Sequence, residues 1–258
     1  MIPQAQIIEW SGQVGWPTPE QVEQDLVLSR LIVEIATDPY LGEELVFRGG
    51  TCLNKLHLRP APRYSEDLDY VRRSAGGIAR VTQAVSAIGE RMRMQVRTDV
   101  SGYPKIYLRA PFESGSATMR IKVEVSTRER SPARELIRVP FAVASPWYQG
   151  RGEVQTFSPP ELVATKLRAL YQRSKGRDLF DLWLALTRLE LDPAEIVECF
   201  APYRPAKYSR GLAEQNLRAK IRDVNFRNDL NLLVGIWPEG YDLDSASELV
   251  IAEVFSHL

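Results

Sequence analysis

Phe47-Arg-Gly-Gly-Thr-Cys-Leu53, followed after a spacer by Ser65-Glu-Asp-Leu-Asp-Tyr-Val71, is the stretch from which the rest of this chain can be read. It sets a pair of glycines at a turn and then two aspartates one residue apart in an apolar strand. Strand side chains alternate with period two, so Asp67 and Asp69 project from the same face. Two like charges side by side in a partly buried strand are costly unless a cation sits between them. Mg²⁺, a hard divalent ion, binds carboxylate oxygens together with substrate phosphates. Gly49 and Gly50 lack a Cβ and let backbone approach a phosphate closely. Arg48 beside them supplies a fixed positive charge. The stretch therefore predicts a site for a metal-bound nucleoside triphosphate. Taken singly, a Gly-Gly pair also reads as a plain turn, and Asp-x-Asp as a solvated strand end; their succession carries the reading.

A third carboxylate is offered by Met119-Arg-Ile-Lys-Val-Glu-Val125. Ile121, Val123 and Val125 point one way while Arg120, Lys122 and Glu124 point the other, the pattern of a half-buried strand. Paired beside the Asp67–Asp69 strand, it would let Glu124 complete a three-carboxylate metal centre. The same alternation also fits an ordinary strand with a solvated face.

Residues 158–186 form a second block. Ser158 can cap a helix with Pro159 at its first position and Glu161 three residues after the cap. On that helix Leu162, Lys166, Leu170 and Arg173 fall within about 80° of one another. Thr165, Arg168 and Gln172 take the opposite, polar side. One lysine in an apolar stripe is commonly a snorkelling side chain; two cations there point to a phosphate clamp. Asp178 to Leu186 is apolar nearly all round and reads as a buried helix. Asp178 and Asp181 share a face of it and need partners, with Lys166, Arg173 or Arg177 at hand. Asp178 fits equally a carboxylate favoured by a helix start.

These two blocks, Arg48-Gly-Gly-Thr51 through Arg63-Tyr-Ser-Glu-Asp-Leu-Asp69 and then Ser158-Pro-Pro-Glu-Leu-Val-Ala-Thr-Lys166 with Arg177-Asp-Leu-Phe-Asp181, resemble the AbiEii-type nucleotidyl transferase toxins of the nucleotidyltransferase superfamily. The resemblance spans roughly residues 40–190. It implies an α+β fold, a nucleotidyltransferase-like core with a mixed β-sheet and a helical C-terminal region. It further implies Mg²⁺-dependent transfer of a nucleoside monophosphate from an NTP to an acceptor hydroxyl. Asp67, Asp69 and Glu124 would be the metal ligands and, with Lys166, the catalytic set. Arg48, Gly49, Gly50, Thr51, Ser65, Lys166 and Arg173 would surround the nucleotide, with Asp178 and Asp181 holding the basic groups. The implied biology is a growth-inhibiting toxin countered by a cognate antitoxin, with RNA such as the tRNA 3′ end as acceptor. Nucleotidyl or phosphoryl transfer to a protein or small-molecule acceptor, and a non-catalytic NTP-binding partner module, are the alternatives. The spacer, residues 51–66 with Pro60-Ala-Pro62, is slightly longer than usual, which bears on loop shape.

Composition limits what else the chain can be. Its 258 residues are 44% hydrophobic and 26% charged, as in a globular protein of one large or two small domains. No apolar run reaches membrane-span length and no signal peptide opens the sequence, so a cytoplasmic protein without a membrane partner is expected. Two cysteines, Cys52 and Cys199, provide no disulfide framework. With only His57 and His257, a His-rich zinc site and a Ser–His–Asp triad fit poorly. The 33 basic and 33 acidic side chains cancel but are segregated. Residues 203–222 carry Arg204, Lys207, Arg210, Arg218, Lys220 and Arg222 with Tyr203 and Tyr208 interleaved, and residues 223–258 are acidic. That basic run suits RNA, its tyrosines offering stacking faces; it also suits pairing with the acidic tail. Thr18-Pro-Glu-Gln21 predicts a helix to about Ala36. Strands are predicted near 67–71, 94–99, 104–109, 119–125 and 137–143, with a helix near 78–92. From Ser158 the chain reads helical. Pro146–Gly152 is the predicted boundary between a core domain (1–150) and a helical domain (151–258).

Overall fold

The computed structural model describes residues 2–115 and 117–258. Two helices open it, α1 (Gln4–Ser11) and α2 (Pro19–Thr37). The predicted capping box starts α2. Thr18 Oγ1 accepts from the Gln21 N–H and Gln21 Oε1 accepts from the Thr18 N–H, both at 3.2 Å, which satisfies two amides that a helix start leaves unpaired. Leu26, Leu31, Ile32 and Ile35 of α2 are buried. A single turn, α3 (Leu41–Glu44), leads into the sheet.

The strands are β1 (Leu45–Arg48), β2 (Asp67–Arg72), β3 (Gln95–Asp99), β4 (Lys105–Pro111), β5 (Thr118–Ser126), β6 (Ile137–Ala144) and β7 (Gln149–Thr156), in the order β3-β4-β5-β2-β1-β7-β6. The sheet is mixed: β2 runs parallel to β5 and β1 parallel to β7, and the other neighbours are antiparallel. Strands β2 to β6 fall within two residues of their predicted positions. β7 is not predicted by its sequence, Gln-Gly-Arg-Gly-Glu-Val-Gln-Thr, which carries two glycines and little β-branched surface. Pairing with β6 along its whole length, and with β1 at Phe47–Thr156, holds it in the sheet. The predicted boundary at Pro146–Gly152 is thus a tight turn, closed by mutual bonds between Ser145 and Tyr148, followed by the first half of a strand. Sheet gives way to helices only at Ser158.

Between the strands lie α4 (Gly49–Cys52), continued as a π-turn over Leu53–His57, and α5 (Ala79–Arg91). After β7 come α6 (Pro159–Gln172), α7 (Gly176–Thr187), α8 (Pro193–Phe200), α9 (Arg210–Lys220), α10 (Val224–Asn228) and α11 (Leu243–Glu253). Two apolar clusters divide the chain. The first joins α2 to the sheet face bearing Phe47, Leu68, Tyr70, Val123 and Val125, where Phe47 stacks on Tyr70 at 4.9 Å. The second is built from the C-terminal helices, with Leu53 and Leu58 contributed, among the described residues, from before Ser158. Leu162 belongs to the first cluster and Val163 to the second, so α6 runs along the seam. None of the described helices is long and apolar enough to cross a membrane.

Candidate active site

The glycine turn is shaped by charges that press onto it from elsewhere. Gly49 has φ +81°, and a Cβ there would stand 2.7 Å from Asp69 Oδ2. A Cβ on Gly50 would collide with the Arg63 guanidinium and lie 3.3 Å from Lys166 Nζ. Only glycine fits either position. Register then assembles the acidic wall. Arg48 of β1 lies opposite Asp69 of β2, and Asp69 lies beside Glu124 of β5. Parallel pairing puts Lys122 beside Asp67, and its ammonium bridges Asp67 Oδ2 at 3.1 Å and Glu124 Oε2 at 3.2 Å. Burial alone would lower the Lys122 ammonium; Asp67, Glu124 and Asp69 together hold it well above its usual range. No hydrogen bond or ion pair to the Asp69 carboxylate occurs among the described residues. Burial pushes its carboxyl upward, Asp67 and Glu124 add repulsion, and Lys122 and Arg48 offset part of it.

The opposite wall is basic. Lys166 of α6, 3% exposed, places Nζ 2.7 Å from Asp181 Oδ2 and 3.3 Å from Asp178 Oδ1. Arg173, just past the end of α6, binds both oxygens of Asp178 at 2.7 and 2.8 Å. Arg63 binds both oxygens of Asp181 at 2.8 and 2.7 Å. Burial would raise both aspartates, but Arg63 and Lys166 hold Asp181 far below its usual range, and Lys166 and Arg173 lower Asp178. Asn54 donates to the Gly50 carbonyl at 2.8 Å and ties the glycine turn to this cluster. Alongside, Glu129 bridges Arg48 and Arg168.

Between the walls is a cleft of about 480 Å³, lined by Gly49, Gly50, Asp69, Glu124, Lys166 and Arg173 among others. Counting formal charges, Asp67, Asp69 and Glu124 against Lys122 leave two negative charges. The Arg63–Lys166–Arg173 cluster against Asp178 and Asp181, plus Arg48 and Arg168 against Glu129, leave two positive. This separation suits a divalent cation on one side and phosphate oxygens on the other. The acidic donors fit a hard, oxygen-seeking ion, since they are all carboxylates and Asp69 makes no ion pair among the described residues. Among the described residues no three such groups converge on one point as they stand. Lys122 separates Asp67 from Glu124, and Asp67 opens on a neighbouring hollow of about 410 Å³ instead of the cleft. The expected convergence of all three carboxylates is corrected accordingly.

Other expectations are also revised. Thr51 and Ser65 do not line the cleft. Their hydroxyls bond to each other at 2.7 Å and Thr51 donates to the Asp67 carbonyl, pinning the turn to β2. Ser158 begins α6 without a side-chain cap. Glu161 is fully buried and accepts from the Ala133 and Arg134 N–H groups and the Tyr203 hydroxyl. Arg177 pairs with Asp229, not with Asp178 or Asp181. Thr165, Arg168 and Gln172, read as the polar side of α6, face the cleft. Tyr203 and Tyr208 are core residues, 3% and 5% exposed, and offer no stacking face. Arg63 lies within the motif without a predicted role, since one arginine before a tyrosine carries no periodic signal. Glu129 comes from a loop without pattern.

A family model described as nucleotidyl transferase AbiEii toxin, type IV TA system, matches residues 30–244. Among solved structures, MenT4, a nucleotidyltransferase toxin from Mycobacterium tuberculosis H37Rv, matches with TM-score 0.60 and 16% identity, over 100% of this chain and 91% of that one. JHP933 from Helicobacter pylori matches with TM-score 0.55 and 17% identity, over 93% of each chain. At these identities the structural likeness speaks for the fold. No curated protein matches the sequence.

Proposed function

This chain belongs to the AbiEii nucleotidyl transferase toxin family of type IV toxin–antitoxin systems, and we propose that its cleft transfers a nucleoside monophosphate from an NTP to a hydroxyl of RNA, with the tRNA 3′ end the favoured acceptor. The observation that carries this reading is the facing of a doubly negative carboxylate wall by a doubly positive basic wall across the Gly49–Gly50 backbone.

The acceptor oxygen attacks the α-phosphorus, a new P–O bond forms there, the bond to the β-phosphate oxygen breaks, and pyrophosphate leaves. Asp69 and Glu124, which line the cleft, would hold Mg²⁺. When bound, that ion supplies positive charge to the phosphate oxygens and orients them. Glu124 takes the proton of the acceptor hydroxyl. The Gly49 and Gly50 backbone cradles the phosphates, and Lys166, Arg173 and Arg48 neutralise the charge that grows on the leaving pyrophosphate. Asp178 and Asp181 hold Lys166 and Arg173 in place, so the positive wall is formed before substrate arrives. Support for RNA comes from α9 and the residues flanking it. Lys207, Arg210 and Arg222 make no ion pair among the described residues, and α9 packs on α6, which lines the cleft. A cognate antitoxin in the cytoplasm would counter the activity.

Incubation with each α-labelled NTP, Mg²⁺ and total RNA, followed by separation of RNA from protein, tests the reading. Label at the 3′ ends of RNA is expected. Label confined to protein would refute the RNA acceptor, and no label with any of the four NTPs would refute transfer.

A further inference from the structure

Glu129 points into the cleft, yet the chemistry above makes no use of it. It lies in the loop that follows β5 and has φ +60°, a left-handed conformation that side chains other than glycine rarely adopt. Such backbone strain persists only where the surroundings enforce it. Here they do: one carboxylate oxygen pairs with Arg48 at 2.5 Å and the other with Arg168. The two arginines come from different elements, the end of β1 and the middle of α6. The three side chains are only 15–21% exposed, so solvent screens their pairing weakly. Burial would raise the Glu129 carboxyl, and both arginines hold it below its usual range instead. Two carboxylate oxygens spread over two guanidinium groups present the same chemistry as two non-bridging phosphate oxygens. Glu129 also lines an adjoining hollow of about 540 Å³ that holds Arg72, Arg73 and Arg130. A displaced carboxylate would therefore have both space and cations to receive it.

We propose that Glu129 is a built-in phosphate mimic that closes the Arg48–Arg168 pair, and that the triphosphate of an incoming nucleotide must displace it to bind. This rests on the nucleotidyl-transfer reading and adds an autoinhibitory contact to it. The opposite role, a scaffold that holds the two arginines ready, predicts the opposite sign on neutralising Glu129.

The test is calorimetric binding of inorganic tripolyphosphate to the full chain and to Glu129→Gln, which keeps the side chain's length and removes its charge. Tighter binding by about tenfold in Glu129→Gln is expected, equivalent to about 1.4 kcal/mol. Arg48→Gln should weaken binding in both backgrounds. Unchanged or weaker binding in Glu129→Gln overturns the proposal. If that variant is found unfolded by its melting curve, Glu129→Asp, whose shorter side chain reaches the arginines less well, should also bind tighter, and weaker binding there overturns it equally. Failure of the transfer reading is recognised separately. A wild type that transfers no nucleotide, while tripolyphosphate still binds tighter to Glu129→Gln, refutes transfer and leaves the mimic standing. A wild type that transfers normally, with an unchanged tripolyphosphate Kd in the variant, does the reverse.

Discussion

Lys166→Met and Asp181→Asn remove one charge each from the same buried cluster, and the structure sets their costs far apart. Methionine keeps the packing of the lysine stem. Without the ammonium, Asp178 still has both of its oxygens on Arg173 and Asp181 both of its oxygens on Arg63. Neither carboxylate is orphaned, so the cost is that of two charge-assisted bonds that arginine largely replaces, about 1–2 kcal/mol. Asp181→Asn is different. Arg63 is 2% exposed and has no other carboxylate among the described residues, and Lys166 is deprived of its nearer partner. Leaving such charges buried without compensation costs about 3–5 kcal/mol. For a chain of this size, about 2–4 °C per kcal/mol turns these into a fall in Tm of about 2–8 °C for Lys166→Met and a clearly larger one for Asp181→Asn. Activity should fall by about 10²–10³ in Lys166→Met, the usual cost of removing one preorganised charge at a developing anion. The sign of the pH effect follows from the depressed aspartates. Their stabilisation is present above the unfolded carboxyl range and is lost as pH falls through the lowered native values. The wild type should therefore keep the cluster down to about pH 4 and lose stability below it, while Asp181→Asn shows a shallower loss there. Urea unfolding of both variants from pH 7 to pH 3 measures all of this. Equal destabilisation by the two substitutions would refute the reasoning, because Lys166 would then be a structural member that the arginines cannot replace.

Asp69→Asn should stabilise the ligand-free protein at pH 7, since the native carboxyl is raised and its ionised form is disfavoured by burial. The gain should vanish below about pH 4, where the unfolded carboxyl is protonated too, and Mg²⁺ should raise the Tm of wild type but not of the variant. A destabilised Asp69→Asn at pH 7 would show that the carboxylate has a partner after all. His57, pushed by burial down to about 4, must stay neutral in the fold. Stability should rise with pH between 4 and 6.5 by about 2–3 kcal/mol, and His57→Gln should flatten that rise in a denaturation series. Neutralising Lys207 and Arg210 together should reduce the log–log salt slope of RNA binding by roughly 0.7 for each phosphate no longer neutralised, with tripolyphosphate affinity untouched; an unchanged slope in filter binding would move the RNA surface elsewhere.

Much of the fold and part of the site are legible in the residues themselves. Alternation locates β2 and β5 and assigns Asp69 and Glu124 to charged faces, because period-two patterning survives wherever one strand face is buried. The Thr18 box locates α2, and an apolar run marks α7, because both are local signals. The lysine inside the α6 stripe is legible as well, since a cation at a core position has few explanations. What lies beyond the sequence is every choice among partners. Alternation cannot say which strand lies beside which, and it is the parallel register of β2 with β5 that puts Lys122, not a third carboxylate, between Asp67 and Glu124. Local composition argues against β7, and long-range pairing with β6 and β1 makes it a strand nonetheless. Arg63 and Glu129 are single residues in loops, and their importance comes wholly from what they meet 118 and 81 positions away along the chain. Types and spacings of side chains thus identify the chemistry. Only the tertiary fold decides how the charges are shared, because an ion pair is set by distance in space and sequence separation does not constrain it.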